Sequence, residues 1–340
     1  MKKSRLSLAV TALLCILVLM VCMGIGSVEI PVPDALRILF CRILGRKIPS
    51  SIPDQTVSIL WSIRLPRALT AFLTGGALCL SGAIMQAVLQ NPLASSYTLG
   101  VSSGASLGAA IVIVSEISIP VIGRFLLPAS GFAFGLVTVL LVLAITSGFD
   151  QSMHSNTVIL PGMVVSLFAN ALMTLVSSFA GSHSQQLILW QMGSFSGKRW
   201  YHVLILFPVT LFGLLELLNY AEDLDIMSFG DEQAGAMGVE VRRSKKILLL
   251  LASLLTGVSV CFSGTIGFVD LIVPHLVRRI YGSQNRRVVP MCFFIGGAFL
   301  AACDMVSRTL IAPREIPVGA VTAIIGAPFF IWLYLKKSKS

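Results

Sequence analysis

The chain has 340 residues, of which 56% are hydrophobic and only 12% charged, with a net charge of +10 and a mean hydropathy of +0.89. A soluble domain carries about 25% charged residues. This chain therefore lacks the polar surface to cover a water-soluble globule and reads as a polytopic membrane protein. The lysines and arginines lie between apolar runs and are not interleaved with aromatics, which assigns them to lipid headgroups and topology and not to nucleic acid.

The N-terminal stretch MKKSRLSLAVTALLCILVLMVCMGIG has the basic start and apolar run of a signal peptide. The run is longer than a signal core, and no A-x-A site follows. Val21 before Cys22 is not the small residue that lipid attachment requires, so the segment reads as an uncleaved first span. A helix needs about 20 apolar residues to cross the bilayer core. Apolar runs over 7–27, 68–90, 99–115, 126–148, 158–180, 201–218, 247–263, 264–281, 290–307 and 317–335 predict ten spans. The third is short and rich in Gly and Ser, and only Ser263–Thr265 separates the seventh from the eighth.

An even number of spans puts both termini on one side. With the termini inside, the inner segments hold Lys2, Lys3, Arg5, Arg242, Arg243, Lys245, Lys246, Arg278, Arg279, Arg286, Arg287, Lys336, Lys337 and Lys339, which is 14 of the 25 basic residues. The runs RRSKK and LKKSKS abut helices directly, where the positive-inside bias is strongest, so the termini are read as cytoplasmic. The outer segments hold 11 basic residues against five acids, Glu29, Asp34, Asp54, Glu116 and Glu315.

The second span opens on RLPRALTAFLTGG, with Arg64 and Arg67 one turn apart at its outer lip. Small residues crowd GGALCLSGA (75–83) and SSGASLGAA (102–110), which lets helix backbones approach closely. Of the seven cysteines, six lie in apolar runs and Cys41 in a connecting segment. They show no metal-ligand spacing and read as small buried hydrophobes.

No HExxH, GxSxG or Walker A motif occurs, and the four histidines are scattered, so the chain reads as a non-enzyme with no metal or cofactor of its own. The intramembrane acids are Asp270 and Asp304. Such residues are costly in a membrane and mark function by default. Either neighbours satisfy them, or they form the proton-coupling pair of a secondary transporter. Asp270 is expected one to two turns from the inner end of the eighth helix, facing protein or pathway and not lipid. The longest polar segment, 219–246, is expected to form a short helix between Gly230 and Gly238. Either the segment is a solvated loop, or Met227, Phe229 and Met237 are apolar anchors of a helix that docks in a groove on a cytosolic partner.

Three stretches carry a family resemblance: RLPRALTAFLTGGALCLSGAIMQAVLQNPLASSYTLGVSSGASLGA (64–109), GTIGFVDLIVPHLVRRIYG (264–282) and REIPVGAVTAIIGAPFFIWLYL (314–335). In order and spacing the chain resembles the FecCD-type permeases of ABC importers for iron–siderophores, haem and vitamin B12. The resemblance implies an all-α, BtuC-like type II importer fold, with ten transmembrane helices in a single permease domain spanning 1–340. It implies a homodimer, or a pair with a paralogous permease, in the cytoplasmic membrane of a prokaryote. Two cytosolic ABC ATPase subunits would bind the ATP and magnesium, and an extracytoplasmic substrate-binding protein would deliver cargo. An iron(III)–siderophore is the expected cargo, with vitamin B12 or haem as the alternative.

Residue by residue, the resemblance makes Arg64, Arg67 and Arg308 docking residues for acidic groups of the binding protein. It makes Asn91, Leu93, Ser155 and Asn156 a cytoplasmic gate. Phe229, Gly230, Asp231, Glu232, Ala234 and Gly238 become the ATPase coupling segment. Asp270 departs from the family, which usually has a small residue there, and Pro161 stands where LAG is common.

Overall fold

The computed structural model describes residues 2–26, 30–116, 123–150 and 153–337; Glu29 and Lys339 of the charge count lie outside them. The described chain is helical throughout. Helix α1 (Lys2–Gly24) is followed by the short α2 (Val32–Ile43) and α3 (Asp54–Ile59), and α3 continues through a π-helical turn (Leu60–Arg64) into α4 (Leu65–Val88). Then come α5 (Val101–Val114), α6 (Gly123–Phe149), α7 (Ser155–Ser178), α8 (Ser184–Gln191), α9 (Trp200–Asn219), α10 (Ala221–Met227) and α11 (Asp231–Ala236). The last four are α12 (Val241–Ser263), α13 (Val269–Tyr281), α14 (Asn285–Thr309) and α15 (Val318–Lys337).

Each predicted apolar run falls on a helix, but the helices are unequal. Six stretches are long and apolar enough to cross a membrane: 54–88, 125–149, α7, α9, α12 and α14. The apolar stretches of α1, α5 and α15 are shorter, and α13 has 13 residues. At 1.5 Å per residue, α5 and α13 reach only about 20 Å, against a hydrocarbon core of about 30 Å. Non-helical backbone at that depth must be satisfied by protein.

The eighth span shows how. It does not run from 264 as the apolar pattern predicts, because Gly264 and Phe268 adopt positive φ (75° and 71°) and the helix begins at Val269. The backbone groups freed by the break find partners. The Tyr97 hydroxyl donates to the Ile266 carbonyl (2.6 Å) and accepts from the Ile266 amide (3.1 Å). Ser194 N donates to Ser263 O at 2.8 Å, and the Thr265 hydroxyl donates to Gln191 O at the end of α8.

Helix α4 is the hub of the bundle, buried along almost its whole length. The small residues of 75–83 allow this. A Cβ on Gly75 would collide with the backbone of Gly296 in α14, and one on Gly82 with the backbone carbonyl of Asp270 in α13. Ser81 fastens the third neighbour, donating to Ala252 O of α12 (2.8 Å) and accepting from Thr256 Oγ1 (2.8 Å). All seven cysteines lie on helices and none is in a disulfide; six are buried, Cys41 on α2 is half-buried, and Cys15 and Cys22 donate to α14 carbonyls. Overpacking such a contact costs about 1–3 kcal/mol. Gly82→Ala should therefore lower the melting temperature of the detergent-solubilised protein, since only a shift of α13 relieves the clash.

Candidate functional site

The polar residues collect at the two ends of the bundle and at one point between them. At the first end the continuous 54–88 helix carries Arg64 and Arg67 past the C-terminus of α1, while the last turns of α14 bring Asp304 and Arg308. A helix C-terminus leaves carbonyls unsatisfied and favours cations. Arg64 Nη1 donates to Met23 O (3.0 Å) and Gly24 O (2.9 Å), and Arg308 Nη2 donates to Cys22 O.

Arg67 is held from two sides. Its Nε donates to both Asp304 oxygens (3.1 and 3.0 Å) and its Nη2 to Oδ1 (2.9 Å). On the outer edge Nη1 and Nη2 donate to Glu315 Oε1 (2.6 Å) and Oε2 (3.0 Å). Arg308 Nε lies 3.7 Å from Asp304 Oδ2. Three guanidinium groups and two carboxylates leave the cluster at +1. It borders a cavity of about 420 Å³ lined by Gly26, Ile63, Arg64, Arg67, Arg308 and Glu315. The three predicted docking arginines thus stand together, engaged within the chain: Arg64 (5% exposed) and Arg67 (9%) are buried and Arg308 is half-buried. Asp304 is the counter-ion of Arg67 and Arg308; it lies near the end of α14, whereas Asp270 opens α13.

Asp270 lies in the first turn of α13, three turns before its end at Tyr281, and not near the inner end as the sequence pattern suggests. The helix starts late, at Val269, which puts Asp270 at its head, and it continues past Arg278 to Tyr281, which leaves three turns beyond the carboxylate. The first amides of a helix have no intrahelical acceptor, and the macrodipole favours an anion there. The carboxylate is buried (1% exposed), and the Ser95 hydroxyl from the α4–α5 loop donates to its Oδ2. Its Oδ1 is buried with no hydrogen-bond partner among the described residues. Among those residues no three His, Cys, Asp or Glu side chains converge as metal ligands would.

At the opposite end, α11 lies between Gly230 (φ 115°) and Gly238 (φ 93°), as the sequence predicts, and α10 precedes it. Phe229 and Met237 are exposed, as are Glu232 and Gly238, whereas Ala234 packs inward. Met227 is no outer anchor: it is buried, and its carbonyl accepts from Gln90 Nε2 (2.8 Å). Gly238 has open space around it, so its left-handed φ and not a close approach requires glycine. A cavity of about 490 Å³, lined by Gln86, Gln90, Asp225, Phe229, Arg278 and Asn285, opens beside the loop.

The predicted gate residues share this end. Asn91 Oδ1 accepts from the exposed Leu93's amide (2.9 Å), while Ser155 and Asn156 open α7. The first pair lies in the α4–α5 loop and the second in the first turn of α7. Lys245, read from the sequence only as a topology charge, is 1% exposed; its Nζ donates to Asp231 Oδ2 (2.5 Å) and Met153 O (3.1 Å). It ties α11 to the loop entering α7. Ser95, Tyr97 and Glu315 are the other contacts the sequence did not single out.

An all-helical membrane bundle with broken spans and polar clusters at both ends is a transport permease in form. The chain belongs to the FecCD transport family, which matches residues 13–336. It is 37% identical over 282 residues to the cobalamin import system permease BtuC of Halobacterium salinarum, covering 83% of this chain and 74% of that one. It is 34% identical over 329 residues to the hemin transport system permease HmuU of Yersinia pestis, covering 95% and 94%. Among solved structures it superposes on a metal-chelate type ABC transporter in an inward-facing conformation with a TM-score of 0.84 at 29% identity, covering 98% of this chain and 99% of that one.

Proposed function

We propose that the chain is the membrane-spanning subunit of an ATP-driven importer of a metal chelate, with an iron(III)–siderophore as cargo and vitamin B12 or haem as the alternative. Family membership along 13–336 carries the reading. Two copies, or one copy and a paralogous permease, enclose the pathway in the cytoplasmic membrane of a prokaryote, with both termini cytoplasmic. On this reading the exposed Phe229, Glu232 and Met237 surface meets two ABC ATPase subunits, and the ATP and its magnesium sit on those partners. The arginine end then faces outward and receives an extracytoplasmic binding protein, whose acidic groups the +1 cluster attracts. Asn91, Leu93, Ser155 and Asn156 border the inner exit; short side chains narrow a path without holding cargo tightly.

Disruption of the gene tests the cargo. Uptake of a radiolabelled ferric hydroxamate should be lost, with uptake of labelled cobalamin and hemin retained. Loss of either of the latter instead assigns the alternative cargo, and retention of all three rejects the importer reading. Uptake that persists without any partner ATPase would favour proton-coupled transport.

A further inference from the structure

Docking of an acidic partner on Arg67 meets an obstacle within the chain. The guanidinium grips carboxylates through paired N–H groups. Its Nε/Nη2 edge holds Asp304 and its Nη1/Nη2 edge holds Glu315. A partner's carboxylate cannot gain a two-point grip on either edge until one of these leaves.

The two are not equivalent. The Asp304 side chain is 2% exposed and has a second cation, Arg308, within 3.7 Å. The Glu315 side chain is 37% exposed, sits on the loop between α14 and α15, and lines the 420 Å³ cavity. Releasing Asp304 would bury an unpaired charge, whereas releasing Glu315 passes a carboxylate to water.

We propose that Glu315 is a stand-in for the partner's carboxylate: it occupies the outer edge of Arg67 in the unpartnered permease and is exchanged for an acidic side chain on docking. The proposal rests on the docking reading above. The exchange has a route inward. Ile316 N donates to Ser307 O (2.9 Å), Val318 N to Gly193 O (3.2 Å) and Gly319 N to Met192 O (3.1 Å). The residues just after Glu315 therefore clamp the start of α15 to α14 and to the end of α8, and loosening Glu315 loosens that clamp.

The permease in neutral-lipid nanodiscs, with a fluorescent hexaglutamate peptide as the carboxylate probe, provides the test. Glu315→Gln should bind the peptide about tenfold more tightly than wild type, and Arg67→Gln should abolish binding. In the absence of peptide, Glu315→Gln should also speed amide exchange at Val318 and Gly319. Glu315→Ala repeats both measurements without the amide's residual hydrogen bond. Affinity unchanged or weakened in both Glu315 variants, with binding still lost in Arg67→Gln, overturns the exchange and leaves Arg67 a docking residue. Peptide binding that ignores Arg67→Gln overturns the docking reading and the exchange with it.

Discussion

Asp304→Asn should be among the most destabilising single substitutions in the chain. The asparagine keeps the volume of the side chain but removes the buried charge between Arg67 and Arg308, raising the arginine cluster from +1 to +2. Removing one member of a buried ion pair costs about 3–5 kcal/mol, because the partner is left uncompensated away from water. Here Glu315 still holds one edge of Arg67, which puts the expected loss at about 3 kcal/mol, the lower end of that range. A thermal melt of the detergent-solubilised protein reads it. The double variant Asp304→Asn with Arg67→Met should recover part of the loss, since it removes the stranded cation together with its counter-ion, and such coupling is what a double-mutant cycle isolates. A single variant that melts with wild type would mean that water reaches the cluster and that it contributes nothing to the fold.

That cluster shows what a sequence can disclose here. The apolar helices were legible because a bilayer demands long apolar runs, although among the described residues only six of the ten predicted runs are long and apolar enough to cross one, and the stripes of small residues announced close packing, which Gly75 and Gly82 carry out against α14 and α13. Arg64 and Arg67 were legible as a charged pair at one end of a helix. The carboxylates that hold Arg67 were not, because Asp304 and Glu315 lie 237 and 248 positions from it and no local pattern links them. Asp270 was legible as buried, but its place at a helix start depends on the break at 264–268. The glycines at 264 and 267 were the available signal for that break, hidden by the hydrophobicity of the residues around them.

The polar segment 219–246 divides in the same way. Gly230 and Gly238 fixed the limits of α11 because both need positive φ. Met227 looked like an exposed anchor because composition does not tell which face of a seven-residue helix turns inward. Lys245 looked like one charge of four in RRSKK. Its helical phase told otherwise: 245, 248, 249 and 252 fall on one face by the i, i+3, i+4, i+7 rule, and all four are buried.

Lys245→Met should consequently separate the two loops that this side chain joins. The methionine keeps the apolar stem and removes the charge and every donor. Met153 is fully buried in a left-handed conformation (φ 53°), so its carbonyl loses its partner without gaining water, at about 1–3 kcal/mol. Asp231 is 24% exposed and can turn to solvent, which limits its share of the cost. The loss should therefore be local: amide exchange should rise across 231–237 and 153–158 while α4 and α14 keep their protection. Asp231→Asn should do less, because Lys245 retains the Met153 carbonyl and the asparagine oxygen still accepts. On the proposed function α11 meets the ATPase and α7 begins at the gate. The methionine variant should then let the assembled transporter hydrolyse ATP while import falls severalfold. Unchanged exchange in both segments, with import intact, would show that the buried lysine only fills space and that force passes to α7 by another path.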